Sequence, residues 1–350
     1  MKFRMLAAGL MALPLLATGA PAQQLPETRI TVLGNIGITT QSRTIEGPFW
    51  NQQVRELSGG RITANFRPWS EAGLRGPEVF RILARGQANI ATAQLGHHAG
   101  DAAINDGSDL AGLTGSMEEF RRVTDAFRPV LNQFYERQLG LVPITYQSYQ
   151  SQVLYCRDAI SGLADLRGKR VRTSGASQGD FVAYFGGTPV DVAFGETQQA
   201  LAQGTIDCAI TGTLSGYVAK WYEASKFIYT LPINYGSGAT VANGQWWRGL
   251  SPAVRTFLTT ELGKLEQRMW ALNFEEDAMG IACNTQGPCP LGTPGGMTRV
   301  DPTPADTEAR RRAMLERVLP NWARRCGAEC VQQWNDTIGK VVGLQARATQ

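Results

Sequence analysis

Short apolar runs with strand character alternate along the first part of the chain with segments of helical spacing. The pattern predicts strands over 30–33, 62–66 and 90–93, and helices over 48–57 and 77–84. Strands that alternate with helices are typical of a parallel sheet covered by helices on both faces. This part of the chain is therefore expected to form an α/β lobe.

A second, shorter series of the same kind begins near residue 150. The strands that it predicts lie over 153–156, 170–173, 189–192 and 206–210, and the helices over 177–185 and 196–203. Lobe one is thus expected over 23–149, completed by part of 241–350, and lobe two over 150–240, with a cleft between them. The chain after residue 22 is longer than one typical hydrophobic core supports, which agrees with two lobes.

A long helix follows the second series. Ser251 and Pro252 are residue types preferred at a helix N-cap and first turn. The apolar stripe behind them consists of Val254, Leu258, Leu262, Leu265, Met269 and Leu272. A helix of ~30 Å or more is long for one lobe, so we expect it to span both. The segment 241–350 is therefore predicted to supply a crossover strand, this helix, and C-terminal helices over 304–318 and 331–341.

The first 22 residues have the pattern of a secretory signal peptide. Lys2 and Arg4 precede an apolar run over 5–16, and 20–22 places small residues where signal peptidase cleaves. No other stretch approaches ~20 uninterrupted apolar residues, so we expect an exported, soluble mature protein. The formal net charge is +4 and its charges are interspersed, which argues against a nucleic-acid partner.

Six cysteines lie outside the predicted signal peptide: Cys156, Cys208, Cys283, Cys289, Cys326 and Cys330. An even number in an exported chain predicts three disulfides. The last four flank two short turns, so we pair each with its neighbour and pair Cys156 with Cys208, although the sequence alone allows other pairings. The competing interpretation is a zinc site made of four thiolates, which an oxidising compartment disfavours.

The segment 169–179 is the strongest candidate for a binding site. A strand ends there at Arg172, a loop of small residues follows, and a helix begins. Ligands of open α/β sheets bind beyond the carboxyl ends of strands, and the N–H groups of a helix N-terminus favour an anion. The Arg172 guanidinium can hold a carboxylate by two charge-assisted hydrogen bonds. Alternatively, Arg172 is a surface residue paired with Asp180 or Glu196.

The sequence offers little for catalysis. The only histidines, His97 and His98, are adjacent, and neighbours on a strand face opposite ways. No paired-carboxylate, zinc-protease or serine-hydrolase motif is present. An enzyme is therefore the weaker hypothesis, and we expect neither a metal nor a cofactor.

Six segments carry a resemblance to a known family: 68–78, 165–172, 187–190, 194–201, 204–207 and 243–247. In that order they resemble the substrate-binding proteins of TRAP transporters, of the dicarboxylate-binding (DctP) type. The likeness extends over nearly the whole chain after the signal peptide. It implies a periplasmic-binding-protein-like fold with two lobes around a central cleft. In the family's sheet the two strands that here carry Cys156 and Cys208 are neighbours, which favours that disulfide.

The resemblance also implies a function. Family members bind organic acids in the periplasm and deliver them to a TRAP membrane permease, and the arginine that matches Arg172 binds the carboxylate. We accordingly expect a monomer whose lobes close on the ligand, with hinges near 147–150 and 237–243. The other cleft residues that we predict are Gln152, Thr213, Trp69, Glu71 and Asn243. A binding module that feeds a sensor, or a secreted α/β enzyme, is the alternative.

The charge of the ligand is a separate question. Some family members carry a second arginine where this chain has 150–152, which is Gln-Ser-Gln. With Arg172 as the one cation in the expected cleft, a second carboxylate would be buried without a partner. We therefore expect a ligand with a single anionic group, such as a monocarboxylate, keto acid or sulfonate, among which the sequence does not choose.

Overall fold

The computed structural model describes residues 25–348, so the predicted signal peptide over 1–22, with its cleavage site, lies outside the described residues. The strands are β1 Thr28–Gly34, β2 Ile62–Pro68, β3 Ile90–Gln94, β4 Leu141–Ser148, β5 Gln152–Cys156, β6 Arg170–Thr173, β7 Thr188–Asp191, β8 Cys208–Gly212, β9 Phe227–Asn234, β10 Ser237–Asn243 and β11 Thr298–Val300. The α-helices are α1 Val54–Leu57, α2 Val79–Ala84, α3 Met117–Phe134, α4 Ala176–Tyr184, α5 Thr197–Ala202, α6 Thr213–Val218, α7 Gly244–Gly249, α8 Pro252–Asn284, α9 Pro304–Ala313, α10 Leu319–Cys326, α11 Ala328–Trp334 and α12 Lys340–Val342. Shorter helical turns, among them Leu95–His98, connect these elements. None of the described helices is long and apolar enough to cross a membrane.

The strands form two sheets, one in each lobe. The lobe-one sheet has the order β2-β1-β3-β10-β4, and the lobe-two sheet has the order β11-β9-β5-β8-β6-β7. In lobe one, β1 is parallel to β2 and β3, whereas β10 is antiparallel to β3 and β4. The chain reaches β10 from lobe two, at the cleft side of the lobe-one sheet. It therefore runs through the sheet in the direction opposite to β3 and β4. The predicted mixed α/β architecture with two lobes is confirmed.

The chain crosses between the lobes at two strand-to-strand connections. The first joins β4 to β5 over 149–151, and the second joins β9 to β10 over 235–236. The predicted end of lobe two at residue 240 is therefore wrong, because 237–240 already pairs with the lobe-one sheet. Its small residues, Ser-Gly-Ala-Thr, carry no hydrophobic signal that marks where the return strand begins.

The long helix α8 has 33 residues, which corresponds to ~50 Å. The Ser251 side chain accepts a hydrogen bond from the Val254 N–H, as expected of an N-cap. Five of the six residues of the predicted stripe, from Val254 to Met269, are buried against lobe one in a cluster that includes Ile30 and Trp50. Leu272 is only partly buried. Near the other end, α8 packs on α6 of lobe two, so the prediction that it spans both lobes is confirmed.

Gly280 makes the close contact between α8 and α6 possible. A Cβ atom at this position would lie 2.3 Å from the Leu214 backbone nitrogen and 2.6 Å from Thr213 Oγ1. Backbone cannot move aside as a flexible side chain can, so any larger residue would push the helix off lobe two.

The C-terminal helices also contact both lobes. The Trp322 and Trp334 indole N–H groups donate to the Ala103 and Gly107 carbonyls of lobe one, at 2.7 and 2.8 Å. Toward lobe two, Arg325 forms a 2.7 Å ion pair with Asp180 on α4. The C-terminal helices therefore hold contacts to both lobes at once.

All six cysteines are in disulfides, and the predicted pairings are confirmed: Cys156–Cys208, Cys283–Cys289 and Cys326–Cys330. The first pair occupies directly opposed positions of β5 and β8, whose Cα atoms are 4.1 Å apart. The zinc interpretation is overturned, since no thiolate remains free to bind a metal.

Candidate functional site

A small cavity lies between the two lobes. Its lining residues are Ile36, Thr39, Gln94, His97, Tyr149, Gln152, Arg172, Ser174, Phe194, Thr211 and Ser215. The first four come from the carboxyl ends of lobe-one strands or from the loops that follow them. Most of the others come from the corresponding positions of lobe-two strands. This is the place where open α/β sheets bind ligands.

Arg172 is the cation of this cavity. It is 4% exposed, and its side chain is held by two backbone carbonyls. Nε donates to Val192 O at 3.0 Å, and Nη1 donates to Ile210 O at 2.9 Å. The guanidinium carbon lies 5.8 Å from the centre of the Trp221 ring. Together these contacts fix the guanidinium plane at the cavity wall.

No carboxylate of the described residues forms an ion pair with Arg172, although the charge of Asp191 is near enough to oppose the effect of burial on its pKa. Asp180 is paired with Arg325 instead. Burial lowers the pKa of Arg172 to about 10, which is still well above pH 7, so the guanidinium remains charged. A buried cation that lacks an acidic partner is costly unless an anion binds to it. The predicted alternative, a surface ion pair with Asp180 or Glu196, is wrong.

The start of α4, which the sequence suggested as an anion-binding element, is occupied by contacts from lobe one. The Ala111 N–H donates to Ser177 Oγ at 2.6 Å. The Ser177 backbone N–H faces the carboxyl group of Asp106. Contacts from lobe one thus cover the start of this helix, and Arg172 is the charged group that lines the cavity.

Gln152 lines the cavity as predicted, and it belongs to a chain of buried amides. Its Nε2 donates to the Gln150 carbonyl at 2.9 Å. The Gln150 side chain accepts from Ser215 Oγ at 3.0 Å and donates to the Glu276 carboxylate of α8. The cavity wall is therefore connected by hydrogen bonds to the long helix.

Thr213 and Asn243, which we predicted as cleft residues, do not line this cavity. The chain passes from β8 into α6 at Gly212, and this turn directs Thr213 toward α8, where its hydroxyl donates to Asp277 at 3.1 Å. Thr211, two residues earlier, faces the cavity instead. Asn243 is at the far end of β10, where its amide caps α7 and donates to Leu83 O at 2.9 Å.

Trp69 and Glu71 are also outside the cavity lining. Trp69 is buried behind it, with its ring edge-on to His97 at 6.1 Å between centroids. Glu71 is exposed. Both follow β2, which is the edge strand of the lobe-one sheet, whereas the cavity is lined from the loops after β1 and β3. Strand order, which the local sequence does not report, decides this difference.

The sequence reasoning missed the lobe-one half of the cavity. Gln94 is the last residue of β3, which the pattern did predict as a strand, and His97 lies in the helical turn that follows it. The rule that ligands lie beyond the carboxyl ends of strands could have pointed to them. His97 lines the cavity, whereas the adjacent His98 stacks on Phe80 at 4.1 Å in the core.

Both histidines are uncharged at neutral pH. Burial, with the nearby charge of Arg172, lowers the pKa of His97 to about 4. Burial likewise lowers the pKa of His98 to about 3. The cavity therefore contains one fixed positive charge, from Arg172, surrounded by neutral hydrogen-bonding groups.

Comparison with solved structures shows the same fold in several solute receptors. An extracytoplasmic solute receptor of Bordetella pertussis, DctP7, which binds pyroglutamic acid, is 21% identical, with a TM-score of 0.78 over 88% of this chain and 98% of that one. A TRAP periplasmic solute-binding protein of Sulfurospirillum deleyianum with bound succinate is 19% identical, with a TM-score of 0.76 over 89% of this chain and 100% of that one. One from Ralstonia eutropha with bound (S)-2-acetolactate is 20% identical, with a TM-score of 0.76 over 89% and 99%. Comparison with curated proteins finds no match.

The solved structures are too distant in sequence to show more than the fold, so the family of this chain is assigned from a family model. The model of the DctP family matches residues 39–322, which include most of both lobes, both crossings and all the cavity-lining residues except Ile36. The resemblance found in the sequence is thereby confirmed. The chain belongs to the DctP family, family 7 of the bacterial extracellular solute-binding proteins.

Proposed function

We propose that this protein binds a small organic acid with one carboxylate in the periplasm and delivers it to a TRAP membrane permease. The observation that carries the proposal is the buried, unpaired guanidinium of Arg172 in the cavity between the lobes. A carboxylate bound there would supply the missing negative charge, and exclusion of water by the closed lobes would strengthen the attraction. The structural relatives named above bind carboxylic acids, which agrees with this ligand class.

The number of cations in the cavity supports a single anionic group on the ligand. Two further cations could in principle have reached it, Arg75 and Lys220. Arg75 is exposed and lies 3.7 Å from Asp191, and Lys220 is exposed and lies 3.7 Å from Glu223. Neither is among the residues that line the cavity. A second carboxylate would lose its hydration without gaining a charged partner, which costs several kcal/mol.

The experiment begins by identifying ligand released from the purified protein by mass spectrometry, followed by calorimetry. Arg172→Ala should weaken binding of that acid by about 3 kcal/mol or more, because the carboxylate loses its charged partner. Arg170→Ala is the matched control: Arg170 lies on the same strand but pairs with Asp207 at 2.7 Å and does not line the cavity. A thermal-shift panel then compares monocarboxylates with succinate and malate. Arg172→Ala binding within threefold of wild type, or stabilisation by dicarboxylates alone, would refute the proposal.

The other parts of the proposal have their own measurements. Uptake of the acid into vesicles that contain a TRAP permease from the same organism should require this protein, and a sensor module would leave uptake unchanged. We infer that the bound acid is released without chemical change, because the cavity lining offers no paired carboxylates and no nucleophile beside a base. Light scattering should give a monomer.

A further inference from the structure

His97 occupies the lobe-one wall of the cavity that Arg172 lines from lobe two. Its ring is held from two directions: Trp69 packs edge-on against it, and the backbone of Gly76 lies against its Nδ1 edge. A Cβ atom at Gly76 would be only 2.1 Å from Nδ1. The imidazole is therefore fixed in place before any ligand binds.

This packing decides which ring nitrogen carries the proton. Among the described residues, buried Nδ1 has no hydrogen-bond partner. The backbone of Gly76 leaves no room for an acceptor there, and unpaired buried N–H groups are rarer than unpaired acceptors. Since neutral imidazole has one N–H, the proton belongs on Nε2. The ring edge with Nε2 is opposite the one against Gly76, and Nε2 is not among the fully buried, unpaired atoms of the described residues. Because His97 lines the cavity, we infer that Nε2–H is a hydrogen-bond donor on that side.

We propose that His97 is a ligand-binding residue whose Nε2–H donates to a second oxygen atom of the ligand, beside the carboxylate held by Arg172. The site therefore selects acids with a carbonyl, hydroxyl or ether oxygen next to the carboxylate over amino acids with an ammonium group there. An ammonium group at that position would place its N–H donors against the Nε2–H donor and its positive charge beside the guanidinium. Both contacts are repulsive, whereas an oxygen atom at the same position accepts a hydrogen bond from Nε2–H.

The inference rests on the proposed binding of a carboxylate and narrows its ligand class. A site that hydrogen-bonds one group of its ligand binds an analogue without that group much more weakly. This loss of affinity is far larger than the loss that a hydrophobic pocket shows for a ligand of slightly different size. The oxygen-bearing member of a matched pair should therefore bind at least about a hundredfold more tightly than its amino counterpart.

The test uses three ligand pairs that differ at one group: pyruvate against alanine, lactate against alanine, and tetrahydrofuran-2-carboxylate against proline. Binding is measured by calorimetry to the wild type and to His97→Leu, His97→Gln and His97→Asn. The Gln amide nitrogen can reach the position of Nε2, whereas the shorter Asn reaches only that of Nδ1. His98→Gln is the control, because His98 stacks on Phe80 away from the cavity.

His97→Leu should weaken binding of the oxygen-bearing acids about tenfold and reduce their advantage over the amino acids. His97→Gln should retain most of the affinity, His97→Asn should resemble His97→Leu, and His98→Gln should leave affinity unchanged. Thermal unfolding confirms that each variant is folded. Equal binding by wild type and His97→Leu, or amino acids that bind as tightly as their partners, would overturn the inference.

These outcomes separate the two proposals. If the acids bind through Arg172 but ignore His97, this inference fails and the proposed function stands. If no acid of the panel binds and Arg172→Ala changes nothing, both fail.

Discussion

The carboxylate of Asp109 is bonded to the backbone of Tyr235, where the chain returns from lobe two to lobe one: the Tyr235 N–H donates to Oδ1 at 2.9 Å. The other oxygen accepts from Asn234 Nδ2 at 2.8 Å and from the Ser237 N–H at 3.0 Å. One lobe-one side chain thus binds three donors across the second crossing. This arrangement fixes the connection on which any opening of the lobes must turn.

Asp109→Asn should destabilise the protein. Asparagine keeps one oxygen for the Tyr235 N–H, but its amide nitrogen would face the donors of Asn234 and Ser237. Two buried donors without acceptors should lower the free energy of unfolding by about 3 kcal/mol. Urea denaturation measures the change, and a variant as stable as wild type would show that the crossing does not depend on these bonds.

Asp106, three residues earlier, should respond in the opposite way. Burial, reinforced by the charge of Asp109, raises the pKa of Asp106 to about 7 from its ordinary 3.8, and its Oδ2 is unpaired among the described residues. The folded protein therefore holds a proton at a pH where the unfolded chain releases it. The resulting destabilisation is full above pH 7 and disappears as pH falls from 7 toward 4.

Asp106→Asn removes this ionisation and should raise the free energy of unfolding at pH 8.5, by up to about 4 kcal/mol. The gain over wild type should shrink as pH is lowered and vanish near pH 4. Urea denaturation at four pH values checks both signs. A gain that is independent of pH, or that grows in acid, would contradict the assignment.

Thr211 and Thr213 can be compared to test which of the two threonines contacts the ligand. Thr211→Val removes a hydroxyl at the cavity and should weaken ligand binding about threefold to tenfold with little change in thermal stability. Thr213→Val breaks the bond to Asp277 and should lower stability by about 1 kcal/mol, with affinity nearly unchanged. Calorimetry measures the affinity of both variants and thermal unfolding their stability. A loss of affinity in Thr213→Val but not in Thr211→Val would show that Thr213 contacts the ligand.

The disulfides should differ in their contribution to stability. Cys156–Cys208 closes a separation of 52 residues and Cys283–Cys289 one of 6. By the entropy of loop closure alone, these correspond to about 4 and about 2 kcal/mol. Replacing each pair with alanine should therefore cost more stability for Cys156 and Cys208. Non-reducing peptide mapping confirms the links first, and an equal or reversed cost would show that strain or residual structure outweighs chain entropy.

The sequence by itself determined the features that depend on local order. The alternation of strand and helix, the Ser251–Pro252 start of α8 and the short-range cysteine pairs all involve residues close along the chain. Arg172 could also be identified from the sequence, since it lies near the end of a strand in a recognisable motif, and the order of motifs identified the family. These signals are carried by propensity, periodicity and spacing, which need no knowledge of distant contacts.

Only the tertiary structure decided which side chains meet. His97 and His98 look alike in sequence, yet one lines the cavity and the other stacks on Phe80, because the turn after β3 directs them to different sides. Thr213 was displaced from the predicted site by the start of α6, and Trp69 by the position of β2 at the sheet edge. The cavity is made by two lobes that close on each other. Its walls are set by strand order and crossing points, which are contacts between distant segments that local patterns do not encode.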